Sequence, residues 1–286
     1  MTSARNASVQ ARRRPRAAAM LLAAAALVLV SPHSAQSVVA QEGRPGTPKP
    51  TVVLVHGAWA DASSWNGVIE RLQDDGYTVA AVADPLRSLS GDAAYVRTFL
   101  ETIPGPVVLV GHSYGGAVIT NAATGLPNVE ALVYVNAFAP DAGESATQLA
   151  GPDSALSVPD PTTIFDFVPA TLPPTADTDL YLKRSTVFDS FATGLKADDK
   201  ALVAATQRPA TVGALNEPSG SPAWRTIPSW YLVGTKDTII PGDVQRAMAE
   251  RAGSTILEYN EGHVGLMSDP KTVTRVIERA AMASVR

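Results

Sequence analysis

Short runs of apolar, mostly β-branched residues recur along the chain from position 51 onwards. Thr51–Val55 (TVVLV), Thr78–Val82 (TVAAV), Val107–Gly111 (VVLVG), Val129–Val135 (VEALVYV), Trp230–Gly234 (WYLVG) and Thr255–Tyr259 (TILEY) are the six. They are continuous rather than alternating, the pattern of strands buried on both faces of a parallel sheet. Helix-like segments fall between them at Ser64–Asp75, Asp92–Ile103, Tyr114–Gly125 and Asp243–Ala252, with another from Pro270 through Ala283. Strand–helix alternation predicts right-handed crossovers, and so an α/β fold with a doubly wound, mostly parallel six-stranded sheet covered by helices on both faces. The alternation breaks once, at about 140–222. That stretch is rich in Pro, Asp, Thr and Ser, with Phe165, Phe167, Tyr181, Phe188 and Phe191 scattered through it. It is too long for a plain loop and reads as an inserted lid, helical around Thr178–Leu195.

The first forty residues follow another pattern. Residues 1–16 hold five arginines and no acid, and an apolar run from Ala17 to Val30 ends at Ser31-Pro32. A basic start before a short apolar stretch is the pattern of a secretory signal peptide; the run is shorter than the ~20 residues a membrane-spanning helix needs. Small residues at Val38 and Ala40 suit cleavage after Ala40, with Ala35 as the other candidate, and the adjacent arginines leave twin-arginine export open. Residues 41–50, with GRPGTPKP at Gly43–Pro50, read as a linker. The mature protein is therefore expected outside the cytoplasm, in the periplasm or medium, without stable membrane association.

Charge and composition narrow the chemistry. The chain carries 23 basic and 27 acidic side chains; without the five N-terminal arginines the balance is 18 to 27, which repels nucleic acid. It has no cysteine, so disulfides, thiolate catalysis and cysteine-ligated metals are excluded. Four histidines without a His-x-x-x-His pair argue against a dedicated metal site.

The strongest local signal is Gly111-His112-Ser113-Tyr114-Gly115-Gly116, lying between a strand and a helix. In that context G-x-S-x-G forms a sharp turn that presents the serine at the top of the sheet. A serine hydroxyl needs a base. His33 lies in the export segment, His56 ends a strand, and His112 should point away from Ser113 by strand alternation. His263, directly after the last strand, remains. The histidine in turn needs a buried carboxylate. Asp237, after the Trp230–Gly234 strand, gives the order Ser, Asp, His; Asp141 is the competitor, and Asp84 reads as a turn residue. An oxyanion needs two N–H donors, assigned to the backbones of Tyr114 and Ala58. Trp65 reads as a core anchor, whereas Trp59 either lines the pocket or packs.

VLVHGAWADASSW, VVLVGHSYGG, GTKDTIIP and EGHVGLMSDP resemble the motif blocks of the α/β-hydrolase superfamily. The tryptophan spacing of the first block points to the branch of small bacterial esterases, plant methylesterases and plant hydroxynitrile lyases. The resemblance implies a carboxylic ester hydrolase working through an acyl-enzyme without a cofactor, and the aromatic residues of the lid point to small or medium apolar or aryl esters. It leaves open lyase chemistry on the same residues and a non-catalytic binding protein. Plant lyases of the branch carry a threonine and a lysine where this chain has Gly57 and Val264.

Overall fold

The computed structural model describes residues 49–284. The expected export segment (1–40) and most of the expected linker lie outside the described residues. Chain order begins with β1 (Thr51–Val55), a 3-10 turn at Ala62–Trp65, α1 (Asn66–Asp74), β2 (Val79–Val82), α2 (Leu89–Glu101), β3 (Val107–Ser113), α3 (Tyr114–Ala122) and β4 (Val129–Ala137). The expected helix over Ser64–Asp75 is thus split. Asp61 caps the 3-10 turn by accepting from the Ser63 N–H, and the α-helical turns follow it. α2 starts three residues before its expected beginning because the Ser88 side chain accepts from the Gly91 N–H, a good N-cap.

The segment after β4 carries α4 (Ala146–Ala150), β5 (Phe165–Val168), β6 (Asp179–Leu182), a single turn α5 (Arg184–Thr186) running into π-helical Val187–Phe191, α6 (Ala197–Thr206), β7 (Ala210–Thr211) and α7 (Val212–Asn216). The chain then returns through β8 (Ser229–Gly234), α8 (Gly242–Arg251), β9 (Thr255–Tyr259), α9 (Gly265–Ser268) and α10 (Pro270–Ser284).

Six strands form one sheet in the order β2-β1-β3-β4-β8-β9, and every neighbouring pair is parallel. The central strands are buried almost throughout, whereas the outer strands β2 and β9 are half-exposed, in keeping with the small or polar residues in VAAV and TILEY. Fully burying a Val or Leu side chain contributes about 1.5–3 kcal/mol, so the unbroken run Val107–Val110 anchors β3 firmly under Ser113.

The inserted segment departs from expectation. Asp179–Leu182 is a strand, not helix, and pairs antiparallel with β5 and β7 in a small second sheet. DLYL alternates, with Leu180 and Leu182 inward, and a period of two cannot supply a helical face. Within Thr178–Leu195, helical structure begins only at Arg184. Among the described residues no helix is long and apolar enough to cross a membrane.

Candidate active site

β3 ends at Ser113, whose φ of 53° is the left-handed conformation that side chains rarely adopt. The turn is possible because the crossing backbones meet no side chains there. A Cβ on Gly115 would lie 2.6 Å from the carbonyl oxygens of Val55 and His56, and one on Gly111 would lie 2.5 Å from the Gly115 oxygen. The loop after β1 comes equally close, since a Cβ on Gly57 would sit 2.6 Å from the Ser113 Cβ. A threonine at position 57 would therefore crowd the serine itself.

Ser113, His263 and Asp237 come together although they are far apart in sequence. His263 Nε2 lies 2.9 Å from Ser113 Oγ, and His263 Nδ1 lies 2.9 Å from Asp237 Oδ2. A carboxylate only accepts, so Nδ1 carries the proton and Nε2 accepts from the serine hydroxyl. Asp237 is held by four further donors. Its Oδ1 accepts from the N–H groups of Ile239 (2.8 Å) and Ile240 (3.0 Å), and its Oδ2 from Asn136 Nδ2 (3.0 Å) and Gln245 Nε2 (2.9 Å). Asp141, the competing acid, instead forms an ion pair with Arg225 at 2.6 Å on the surface.

Three polar residues complete this arrangement without having been singled out for it. Asn136, at φ 46°, donates to Asp237 and also to the Gly262 carbonyl at 3.1 Å, so it ties the acid to the histidine loop. Gln245 reaches back from α8 to the acid. His112 points away from Ser113 as expected, but it is not idle: its Nε2 donates to the His263 carbonyl at 2.9 Å. Burial, and next the neighbouring His263, hold the His112 pKa well below the ordinary histidine value, so the ring is neutral. A polar residue ending an apolar strand, as Asn136 does in VYVNA, was the one sequence signal available.

The other singled-out residues have structural places. His56 is buried, donating from Nδ1 to the Gly57 carbonyl (2.9 Å) and accepting at Nε2 from the Asp84 N–H (3.0 Å). Burial lowers its pKa, opposed by the Gly57 hydrogen bond. Asp84, read from the sequence as a turn residue, lies in the irregular connection after β2 and is fully buried, and neither carboxyl oxygen has a partner among the described residues. Burial first, and then the nearby Asp92, push its pKa well above the usual carboxylate range. Trp65 is buried in the core as expected.

A cavity of about 420 Å³ opens over the serine. Ala58, Trp59, Ser113 and Tyr114 line its floor, and Phe165, Phe167, Leu172 and Leu180 of the inserted segment line its walls. Trp59 thus lines the pocket. Its indole N–H donates to the Leu180 carbonyl at 2.8 Å. Asp160 is the one charged residue among those lining the cavity.

With this geometry in view, comparison with known proteins settles the family. A sequence profile described as "Alpha/beta hydrolase family" matches residues 52–276. This chain belongs to the alpha/beta hydrolase family. It is 29% identical over 265 residues to "Alpha/beta hydrolase nvfD" of Aspergillus novofumigatus, covering 82% of this chain and 97% of that protein. It is 34% identical over 110 residues to a carbendazim hydrolyzing esterase of a Nocardioides species, covering 34% of this chain and 46% of that protein. Among solved structures, tomato methylketone synthase I superposes with a TM-score of 0.70 at 19% identity, covering 83% of this chain and all of that one. An extracellular α/β-hydrolase from a Paenibacillus species gives a TM-score of 0.68 at 22% identity, covering 81% and 99%. These likenesses establish the fold of this alpha/beta hydrolase, and family membership makes the chain a hydrolase-type enzyme with a small-molecule substrate.

Proposed function

We propose that this alpha/beta hydrolase is an exported serine esterase acting on neutral, apolar or aryl carboxylic esters through an acyl-enzyme. The observation that carries the reading is the hydrogen-bonded line Ser113–His263–Asp237, whose serine lines an apolar cavity. Ser113 Oγ attacks the ester carbonyl carbon as its proton passes to His263 Nε2. Asp237 holds the ring in the working tautomer and stabilises the imidazolium. The carbonyl oxygen becomes an oxyanion between the backbone N–H groups of Ala58 and Tyr114. Collapse expels the alcohol, which takes the proton from His263. Water then gives a proton to His263 and attacks the acyl-serine, and the acid leaves with the hydroxyl restored. Every step is met by residues of the chain, and no cofactor is called for.

The similarity to an esterase from Nocardioides supports this chemistry. The apolar walls and the lone carboxylate of Asp160 favour uncharged acyl groups over anionic ones. Lyase chemistry on the same residues is disfavoured, because Gly57 offers no hydroxyl to hold a cyanohydrin and buried Val264 no cation for departing cyanide.

Purified residues 41–286 are expected to hydrolyse p-nitrophenyl acetate, to be labelled by a fluorophosphonate at Ser113, and to release no cyanide from mandelonitrile. Labelling failure would leave a binding protein, and cyanide release without esterase activity a lyase. Export is checked by the N-terminus of protein recovered outside the cytoplasm, expected at Gln41.

A further inference from the structure

A second cavity, of about 250 Å³, lies on the other side of Trp59. Phe191, Val264 and Met267 form its inner wall; Asp61, Ser63 and Thr206 form polar lining beyond. Among the described residues Trp59 alone lines both cavities. Its ring is packed between two phenylalanines, Phe165 on the first cavity at 5.7 Å between centroids and Phe191 on the second at 6.0 Å, edge-on. The Leu180 hydrogen bond fixes the indole in that plane, and its backbone is held at φ 59°. Trp59 is thus a rigid wall, built at the cost of an unfavourable backbone conformation.

The second cavity adjoins the histidine. The Phe191 ring lies 5.1 Å from the His263 ring, and Val264 and Met267 follow His263 directly along the chain. In ester hydrolysis the leaving oxygen must come within hydrogen-bond reach of His263 Nε2 to receive its proton, while the carbonyl oxygen points the other way, to Ala58 and Tyr114. The alcohol substituent is therefore directed toward the histidine side, and there it meets Trp59.

Resting on the esterase reading, we propose that Trp59 is a specificity-determining partition. It confines the alcohol part of the ester to groups no larger than a single ring and closes off a second compartment, bounded by Phe191 and Met267, that would take a fused two-ring alcohol group.

The test uses two acetates of primary alcohols of similar leaving-group acidity, ethyl acetate and 2-(2-naphthyl)ethyl acetate. Trp59→Ala is expected to raise the kcat/KM ratio of the naphthyl to the ethyl ester on the order of tenfold, the size of effect that pocket contacts give. Preference among ethyl esters from acetate to octanoate, which reads the first cavity, should change by less than that ratio, since Phe165, Phe167 and Leu180 still wall that cavity. Phe191→Ala enlarges the second cavity without removing the wall and should leave the naphthyl-to-ethyl ratio unchanged. Trp59→Leu serves where the alanine variant does not fold. A crystal structure of the variant soaked with 2-naphthylethanol should show the ring against Phe191 and Met267, where the wild type shows none. An unchanged ratio, a shift in acyl preference instead, or naphthyl density only in the first cavity would overturn the proposal. Wild type inert toward both esters would overturn the esterase reading alone, because the soaked structures test the partition without turnover.

Discussion

Five donors converge on Asp237, two of them backbone N–H groups, so its orientation toward His263 is set before substrate arrives. Ser113→Ala or His263→Ala should lower kcat on the order of 10⁶-fold with the fold intact, since residues of such a unit fail together. Asp237→Asn should cost about 10⁴-fold by favouring the wrong tautomer. Gln245→Leu removes one hydrogen bond to a charged group, worth about 1.5–3 kcal/mol, and is expected to lower kcat about 10- to 100-fold while KM changes little. Wild-type kcat in Gln245→Leu would show the remaining donors to be sufficient. Ser113, Asp237 and His263 were legible because each follows a readable strand, and a parallel sheet delivers all strand ends to one edge. Asn136, Gln245 and His112 were not. A lone amide or imidazole in an apolar run has no motif, and its role exists only in the contacts that folding creates.

At the scale of elements, the six main strands were readable because burial on both faces demands unbroken apolar runs. The inserted segment obeys no such demand. β5, β6 and β7 are two to four residues long, so four residues of alternation in DLYL had to be weighed against flanking residues of mixed character. The exposed connection between β5 and β6 offers a test. Leu172 is 64% exposed yet lines the cavity with Pro174. Replacing Leu172-Pro173-Pro174 with Gly-Ser-Gly should lower kcat/KM for long-chain esters several-fold relative to acetates. Melting should fall by no more than about 8 °C, because loss of the two prolines costs about 0.4–1 kcal/mol each by loosening the unfolded chain. Unfolding of the replacement would mark the connection as part of the core.

Over the whole molecule, buried titratable groups give stability a dependence on pH. His56 and His112 have lowered pKa values, mainly from burial, so their contributions are fully present above the unfolded value and are lost as pH falls below it. Asp84 has the opposite sign. Its pKa is raised, so between the unfolded value of about 3.9 and the folded one the folded state holds the extra proton. Its contribution therefore declines as pH rises through that window. Asp84→Asn should gain little stability over the wild type near pH 4, gain progressively more as pH rises, and level off above the folded pKa. Urea unfolding across pH 4–8 measures this, and a difference independent of pH would show that Asp84 does not titrate in that range.

The position of β9 sets the order in time in which the protein can become active. β9 is the outermost strand, its neighbour in the sheet is β8 alone, and the loop after it carries His263. Ser113 waits on β3, three strands inward and 150 residues earlier in the chain. Contacts so remote in sequence form slowly, and a nascent chain cannot make them until β8 and β9 have emerged. Partly synthesised or unfolded chains therefore hold a serine without a base. On the proposed reading, hydrolytic power is withheld until the chain has folded, and it switches on with the last edge of the sheet.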